Sequence, residues 1–330
     1  MRSLVPAETL VYLETNDLAA AIQPIIDSKS FIEAAKSKPD LSALRGVQLA
    51  VAVTGFETSE EKVSDEQSVG RIQPRFVAVA ETHAWNYQAA AFAEQKLGGF
   101  VEQIYDSEPK LEKSDKYGGK YFVWTADDGR KAYALFIDSL IYFSSDEAAI
   151  EKCLAVRRGE ADSILSTTKI QPAAADTLAS GYVTTDGVAQ IAALISLKFA
   201  SESKEDNELQ TAIVDVLPQL IRSSITDVSW TAKKAERGVE DKFVIQMPPN
   251  RTDKSDEILS EIADSIIDDI EDTSADELVK IFAEPRSEDA ADKPNTVHSR
   301  ENKFTATQVE RRTVSDLGFI GWLIAQFGSE

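Results

Sequence analysis

Residues 8–26 and 176–195 follow one pattern, and that repetition constrains the fold more than any other feature of the chain. E-T-L-V-Y-L-E-T-N-D-L-A-A-A-I-Q-P-I-I and D-T-L-A-S-G-Y-V-T-T-D-G-V-A-Q-I-A-A-L-I both open on Thr-Leu, at Thr9-Leu10 and Thr177-Leu178. After a one-residue shift, Thr15, Asp17, Ile22 and Ile26 match Thr184, Asp186, Ile191 and Ile195. The flanking order recurs as well. Val47, Leu49, Val51 and Val53 alternate with Gln48, Ala50, Ala52 and Thr54, the mark of a half-buried strand, and residues 75–82 return as its partner. In the second passage a strand around Val228 and Trp230, a turn at Arg237-Gly238 and a strand over 242–247 take those places. Each pair leads into a helical period: Trp85, Ala89, Phe92, Leu97, Phe100 and Ile104 in the first, Ile258, Ile262, Ile266 and Ile270 in the second.

This order predicts an α+β fold of two related modules, each an antiparallel sheet packed against long helices, followed by a C-terminal tail. The boundaries read 1–168 for the first module, 169–283 for a second and less complete one, and 284–330 for a polar linker, a possible strand over 304–313 and an apolar end segment. The first module also holds short strands over 121–125, 131–137 and 140–143, joined around Asp127-Asp128-Gly129 and Asp138-Ser139. Ser144-Ser145-Asp146-Glu147 predicts a capping box for the next helix, with Ile150, Cys153 and Leu154 inward and a stop at Arg157-Arg158-Gly159. The polar run 58–68 reads as a long exposed hairpin loop.

Charge excludes a class of partners. With 35 Lys+Arg against 56 Asp+Glu the chain carries −21, which repels phosphate backbones, so nucleic-acid binding is not expected. At 330 residues it buries a large core without metal or disulfide staples. Cys153 is the only cysteine, so no intramolecular disulfide and no CxxC site exists, and its place between Ile150 and Leu154 marks a buried thiol. The opening M-R-S-L-V-P-A-E-T has no apolar h-region and reads as carrying no signal peptide.

The openings P-A-E-T-L-V-Y-L-E-T-N-D-L and A-L-F-I-D-S-L-I-Y-F-S-S-D-E-A-A-I-E-K-C-L resemble domain-of-unknown-function family 3352, uncharacterised bacterial proteins. The resemblance covers most of residues 4–283 and implies an extracytoplasmic location, periplasmic or membrane-associated. It supplies no catalytic residue.

Residues for chemistry are sparse. His83 and His298 are the only histidines, and no G-x-S-x-G elbow accompanies either. Tyr117-Gly118-Gly119-Lys120 lacks P-loop spacing and reads as a turn, and no cofactor is expected. Asp127-Asp128-Gly129 lacks the downstream Glu of a calcium loop, and Asn250-Arg251-Thr252 is a formal glycosylation sequon. Glu257, Glu261, Asp264, Asp268 and Glu271 form an acidic helix face, which reads as solvated or, alternatively, as a site for a divalent cation or basic partner.

The residues therefore predict a non-enzymatic extracytoplasmic interaction or ligand-binding protein. A carrier of lipid or another hydrophobic ligand is the alternative, and a carboxylate-based hydrolase a third reading. Candidate surface residues are Trp85, Phe92, Phe100, Tyr121 and Trp124 around a first-module pocket, with packing of the core as the other and stronger reading of these aromatics. Phe319, Trp322 and Phe327 form a C-terminal segment suited to a protein partner or a membrane interface, or to docking on the protein's own sheet.

Overall fold

The strands β1 (Val11–Thr15) and β8 (Thr177–Thr184), which open the two repeats, pair with each other at the middle of the molecule. Their antiparallel register sets Val11 opposite Val183, Tyr12 opposite Tyr182 and Leu13 opposite Gly181. The computed structural model describes residues 1–64, 67–82, 97–105, 107–167, 174, 176–202, 219, 221–249, 273–286 and 295–328. Among these residues twelve strands form one antiparallel sheet in the order β11-β12-β10-β9-β8-β1-β2-β3-β7-β6-β5-β4. The remaining strands are β2 (Gln48–Ser64), β3 (Gln67–Glu81), β4 (Lys110–Lys116), β5 (Gly119–Thr125), β6 (Lys131–Ile137), β7 (Leu140–Ser144), β9 (Asp227–Lys234), β10 (Val239–Gln246), β11 (Val297–Phe304) and β12 (Gln308–Ser315).

Two separate modules with long helices are therefore corrected to one continuous sheet carrying mostly short helices. The cause is edge chemistry. Separate sheets would leave the amides and carbonyls of two apolar strands, V-Y-L and A-S-G-Y-V, unpaired at exposed edges; joining β1 to β8 satisfies both. Read outward from that seam, β1-β2-β3-β7-β6 on one side and β8-β9-β10-β12-β11 on the other have the same form. Residues 297–328 are no tail: β11, β12 and a final helix complete the second half of the sheet.

The helices are α1 (Leu18–Ile26), α2 (Lys29–Ala34), α3 (Gly98–Tyr105), α4 (Glu147–Arg157), α5 (Ile164–Thr167), α6 (Thr185–Glu202), α7 (Ala275–Phe282) and α8 (Gly318–Gly328). Asp17 caps α1 by accepting the Ala20 amide at 3.0 Å, and the helix runs through Pro24 to stop at Ile26. The capping box before α4 is corrected. Asp146 is the N-cap and accepts from the Ala148 amide at 3.0 Å, while Ser144 Oγ accepts the Asp146 amide at 3.0 Å. Glu147 instead pairs with Lys116. Of the predicted 85–105 helix the described residues hold only α3, and the predicted 255–270 helix lies outside them.

Strand alternation divides the side chains between two faces. One row crosses the front face as Phe243, Trp230, Gly181, Leu13, Val51, Ala78, Phe143, Ala134 and Phe122. Helices α1, α2, α7 and α8 cover its second half through Ile22, Ile25, Phe31, Leu278 and Ile320, and α3 contributes Val101 to the first. A side chain at Gly181 would put a Cβ 2.6 Å from Leu13 Cδ2 and 3.0 Å from Trp230 Cε3, so glycine is what lets these two meet across the seam. On the back face α4 and α5 pack Ile150, Cys153, Leu154 and Ile164 against Tyr12, Ala52, Val77, Leu135 and Tyr142.

Within the polar run, 58–64 and 67–68 are corrected from loop to strand: β2 and β3 pair there from Thr58 opposite Ile72 to Ser64 opposite Gln67.

Candidate functional site

The aromatic residues singled out in the sequence are shared between two cores. Trp124 is 1% exposed on the front face, with Phe122 at 5.9 Å and Phe143 at 6.4 Å between ring centroids. Phe100 meets the same Phe143 at 5.9 Å. Tyr121, 4% exposed, alternates to the back face and joins Tyr117 and Tyr133 there. The structure thus brings Phe100 and Trp124 into one core and Tyr121 into another. Trp85 and Phe92 lie outside the described residues. Phe319 and Trp322 stand on α8, stacked on each other at 5.3 Å, and Phe319 packs edge-on against Trp230 at 4.9 Å and Phe243 at 5.3 Å. Phe327 belongs to the same helix.

A buried polar network seats that helix, and hydropathy reading missed it. Asp241 on β10 is buried beneath α8; its Oδ1 accepts the Trp230 indole N–H at 2.8 Å and its Oδ2 the Phe319 backbone N–H at 2.8 Å. Burial pushes the carboxyl up to about 6, against the opposing pull of those two donors. Gly318 enters the helix at φ +62°, where a Cβ would lie 2.7 Å from Val239 Cβ and 2.9 Å from Asp241 Oδ2. Beside it, Asp316 Oδ2 accepts from Ser30 Oγ at 2.7 Å, and His298 Nε2 lies 2.7 Å from Asp316 Oδ1. Serine and histidine both meet the same carboxylate, so this trio ties α2 and β11 to the start of α8. His83 lies outside the described residues.

Cys153 is buried on α4, and burial pushes its thiol up to about 12, far from reactive thiolate. Tyr117-Gly118 forms the turn between β4 and β5, and Asp128 closes the β5–β6 turn by accepting the Arg130 amide at 2.9 Å. The acidic row from Glu257 to Glu271 and the sequon at Asn250 lie outside the described residues. Among the described residues no group of three His, Cys, Asp or Glu could hold a metal ion, and no helix is long and apolar enough to cross a membrane.

The back face of the second half carries a hollow of about 380 Å³ over β9, β10 and β12, lined by Ser229, Thr231, Lys233, Glu240, Lys242, Val244 and Arg312 with Trp230. Three neighbouring strands supply these side chains by plain alternation: Thr231 stands opposite Lys242, and Lys242 opposite Arg312. Glu310, two residues before Arg312, takes one cation on each oxygen, Lys242 Nζ at 2.8 Å and Arg312 Nη2 at 3.2 Å. The Lys242 ammonium holds the Glu310 carboxyl below its usual range, with Arg312 and Lys303 adding to the effect. Lys233 reaches out to Asp176 at 2.7 Å. No single motif announced this site; it exists only once β12 lies beside β10.

No family profile matches the chain, and no curated protein matches it. Among solved structures it is similar to crystal form III of TP0453 at 9% identity and TM-score 0.44, covering 98% of this chain and 97% of that one. Crystal form I of TP0453 gives 9% identity and TM-score 0.41 over 99% and 96% of the two chains.

Proposed function

We propose that this is a non-enzymatic extracytoplasmic binding protein whose ligand engages the back face of β9, β10 and β12. The observation that carries the reading is the hollow itself: hydroxyls from Ser229 and Thr231 and charges from Lys233, Glu240, Lys242 and Arg312 converge there, with Trp230 and Val244 completing the lining. Its volume falls at the small end of the roughly 300–1,000 Å³ of small-molecule sites. The extracytoplasmic part rests on the sequence resemblance to family 3352.

Four charged side chains and two hydroxyls in this lining weigh against an acyl chain, whose site needs apolar walls. Against a carboxylate-based hydrolase stands the way the buried carboxylates are used. Glu14 is tied to Arg2 and to the Tyr12 hydroxyl at 2.9 Å, Asp241 seats α8, and Asp316 holds Ser30 and His298. Each already has a structural task.

Native mass spectrometry of the purified full chain beside Thr231→Trp, which fills the hollow, tests the reading. The expected result is a small-molecule adduct on the parent chain that the variant lacks. An adduct retained equally by both places the ligand elsewhere and contradicts it.

A further inference from the structure

Lys242 and Arg312 stand directly opposite each other on adjacent strands of one sheet face. Like charges so placed repel and cost stability. A chain with 56 acidic residues and a net charge of −21 has every opportunity to avoid the arrangement. Glu310 offsets it in part, spanning the two cations, and the exposed Glu301 stands across from Arg312 on its other side. The lining itself holds three cations, Lys233, Lys242 and Arg312, and one carboxylate, Glu240, while Lys233 also reaches Asp176 outside the hollow. Glu240 lies opposite Lys233 in the β9–β10 register, leaving Lys242 and Arg312 to share Glu310. The buried Nε–H of Arg312 meets no acceptor among the described residues, so its guanidinium edge is only half used.

Resting on the binding reading above, we infer that the hollow takes an oxyanion, a carboxylate or phosphate group of a small ligand, held between Lys242 and Arg312. Glu310 positions the two cations side by side, one on each oxygen, as a clamp. The Ser229 and Thr231 hydroxyls on β9 offer further donors along the hollow's wall.

The test is an amide NMR titration of the full chain at low ionic strength, following Thr231, Lys242 and Arg312. The probes are inorganic phosphate, citrate and the neutral disaccharide sucrose. Saturable shifts with phosphate or citrate are expected, and the stronger of the two tells which oxyanion the clamp prefers. Lys242→Glu should weaken that binding by about tenfold or more, the loss of one charge-assisted contact. Lys131→Glu, an exposed charge on β6, should leave it unchanged. Saturation by sucrose alone would overturn the oxyanion while leaving a binding site in place. No saturation by any probe, or equal weakening by both variants, would overturn the clamp. Loss of the adduct difference between the parent chain and Thr231→Trp would separately remove the binding reading.

Discussion

Asp241 on β10 caps helix α8 from a distant part of the chain, its Oδ2 accepting the Phe319 backbone N–H at 2.8 Å. Of the residues before the helix, Asp316 is engaged with Ser30 and His298, while Ser315 Oγ accepts the Gly318 amide at 3.0 Å and shares the capping with Asp241. The C-terminal segment is therefore seated on the sheet by a buried carboxylate as well as by Phe319 and Ile320.

Asp241→Ala leaves two buried donors, the Trp230 indole and the Phe319 amide, without an acceptor. The expected cost is about 2 kcal/mol at neutral pH, read by urea denaturation. The parent chain should also show a pH signature. The folded carboxyl is pushed up to about 6 from 3.8, so the native state holds its proton more readily than the unfolded one. Asp241's contribution to stability therefore falls as pH rises through that window and levels off above it. From pH 4 to pH 7 the denaturation midpoint of the parent should fall relative to that of Asp241→Asn; parallel curves would remove the assignment.

Arg2 and Glu14 form an ion pair with both side chains at about a tenth of full exposure, 10% and 9%. Arg2→Ala strands the Glu14 carboxylate in the back core beside Tyr12 and Ser180. A loss of about 3 kcal/mol is expected. The double variant Arg2→Met/Glu14→Gln should recover part of it in the same denaturation assay.

Trp124→Ala should cost about 3–5 kcal/mol, because the indole fills the front core against Phe122 and Phe143. Phe304→Ser, at 62% exposure on the outer strand β11, should stay within about 0.5 kcal/mol. Calorimetry of the pair reads the contrast directly.

Cys153 should resist a thiol reagent in the native chain at pH 8 and react fully in denaturant, since burial both hides the sulfur and disfavours its thiolate. Native reactivity near that of free cysteine would contradict the packing of α4.

The period-two segments and one helix stop were legible: strands near 47–53, 121–125, 131–137 and 140–143, and the end of α4 at Arg157, all follow from local pattern. Beta strands without an apolar face were not. K-L-E-K-S-D-K forms the exposed edge strand β4, and V-H-S-R-E-N-K-F, which reads as polar linker, forms the exposed edge strand β11. Edges carry charge because they must not pair with other chains, so hydropathy is silent there. The joining of β1 to β8 is a long-range choice that no local window holds. The hollow was hidden for the same reason: Lys233, Lys242 and Arg312 are scattered in sequence, and only the order β9-β10-β12 brings them together.

That order depends on a single sheet joined at its centre, and amide hydrogen exchange tests it most directly. Exchange followed by mass spectrometry should place peptides covering Val11–Thr15 and Thr177–Thr184 among the slowest in the molecule, opening together in one cooperative step. Fast, edge-like exchange of both peptides, with the two halves of the chain opening at separate free energies, would contradict the continuous sheet.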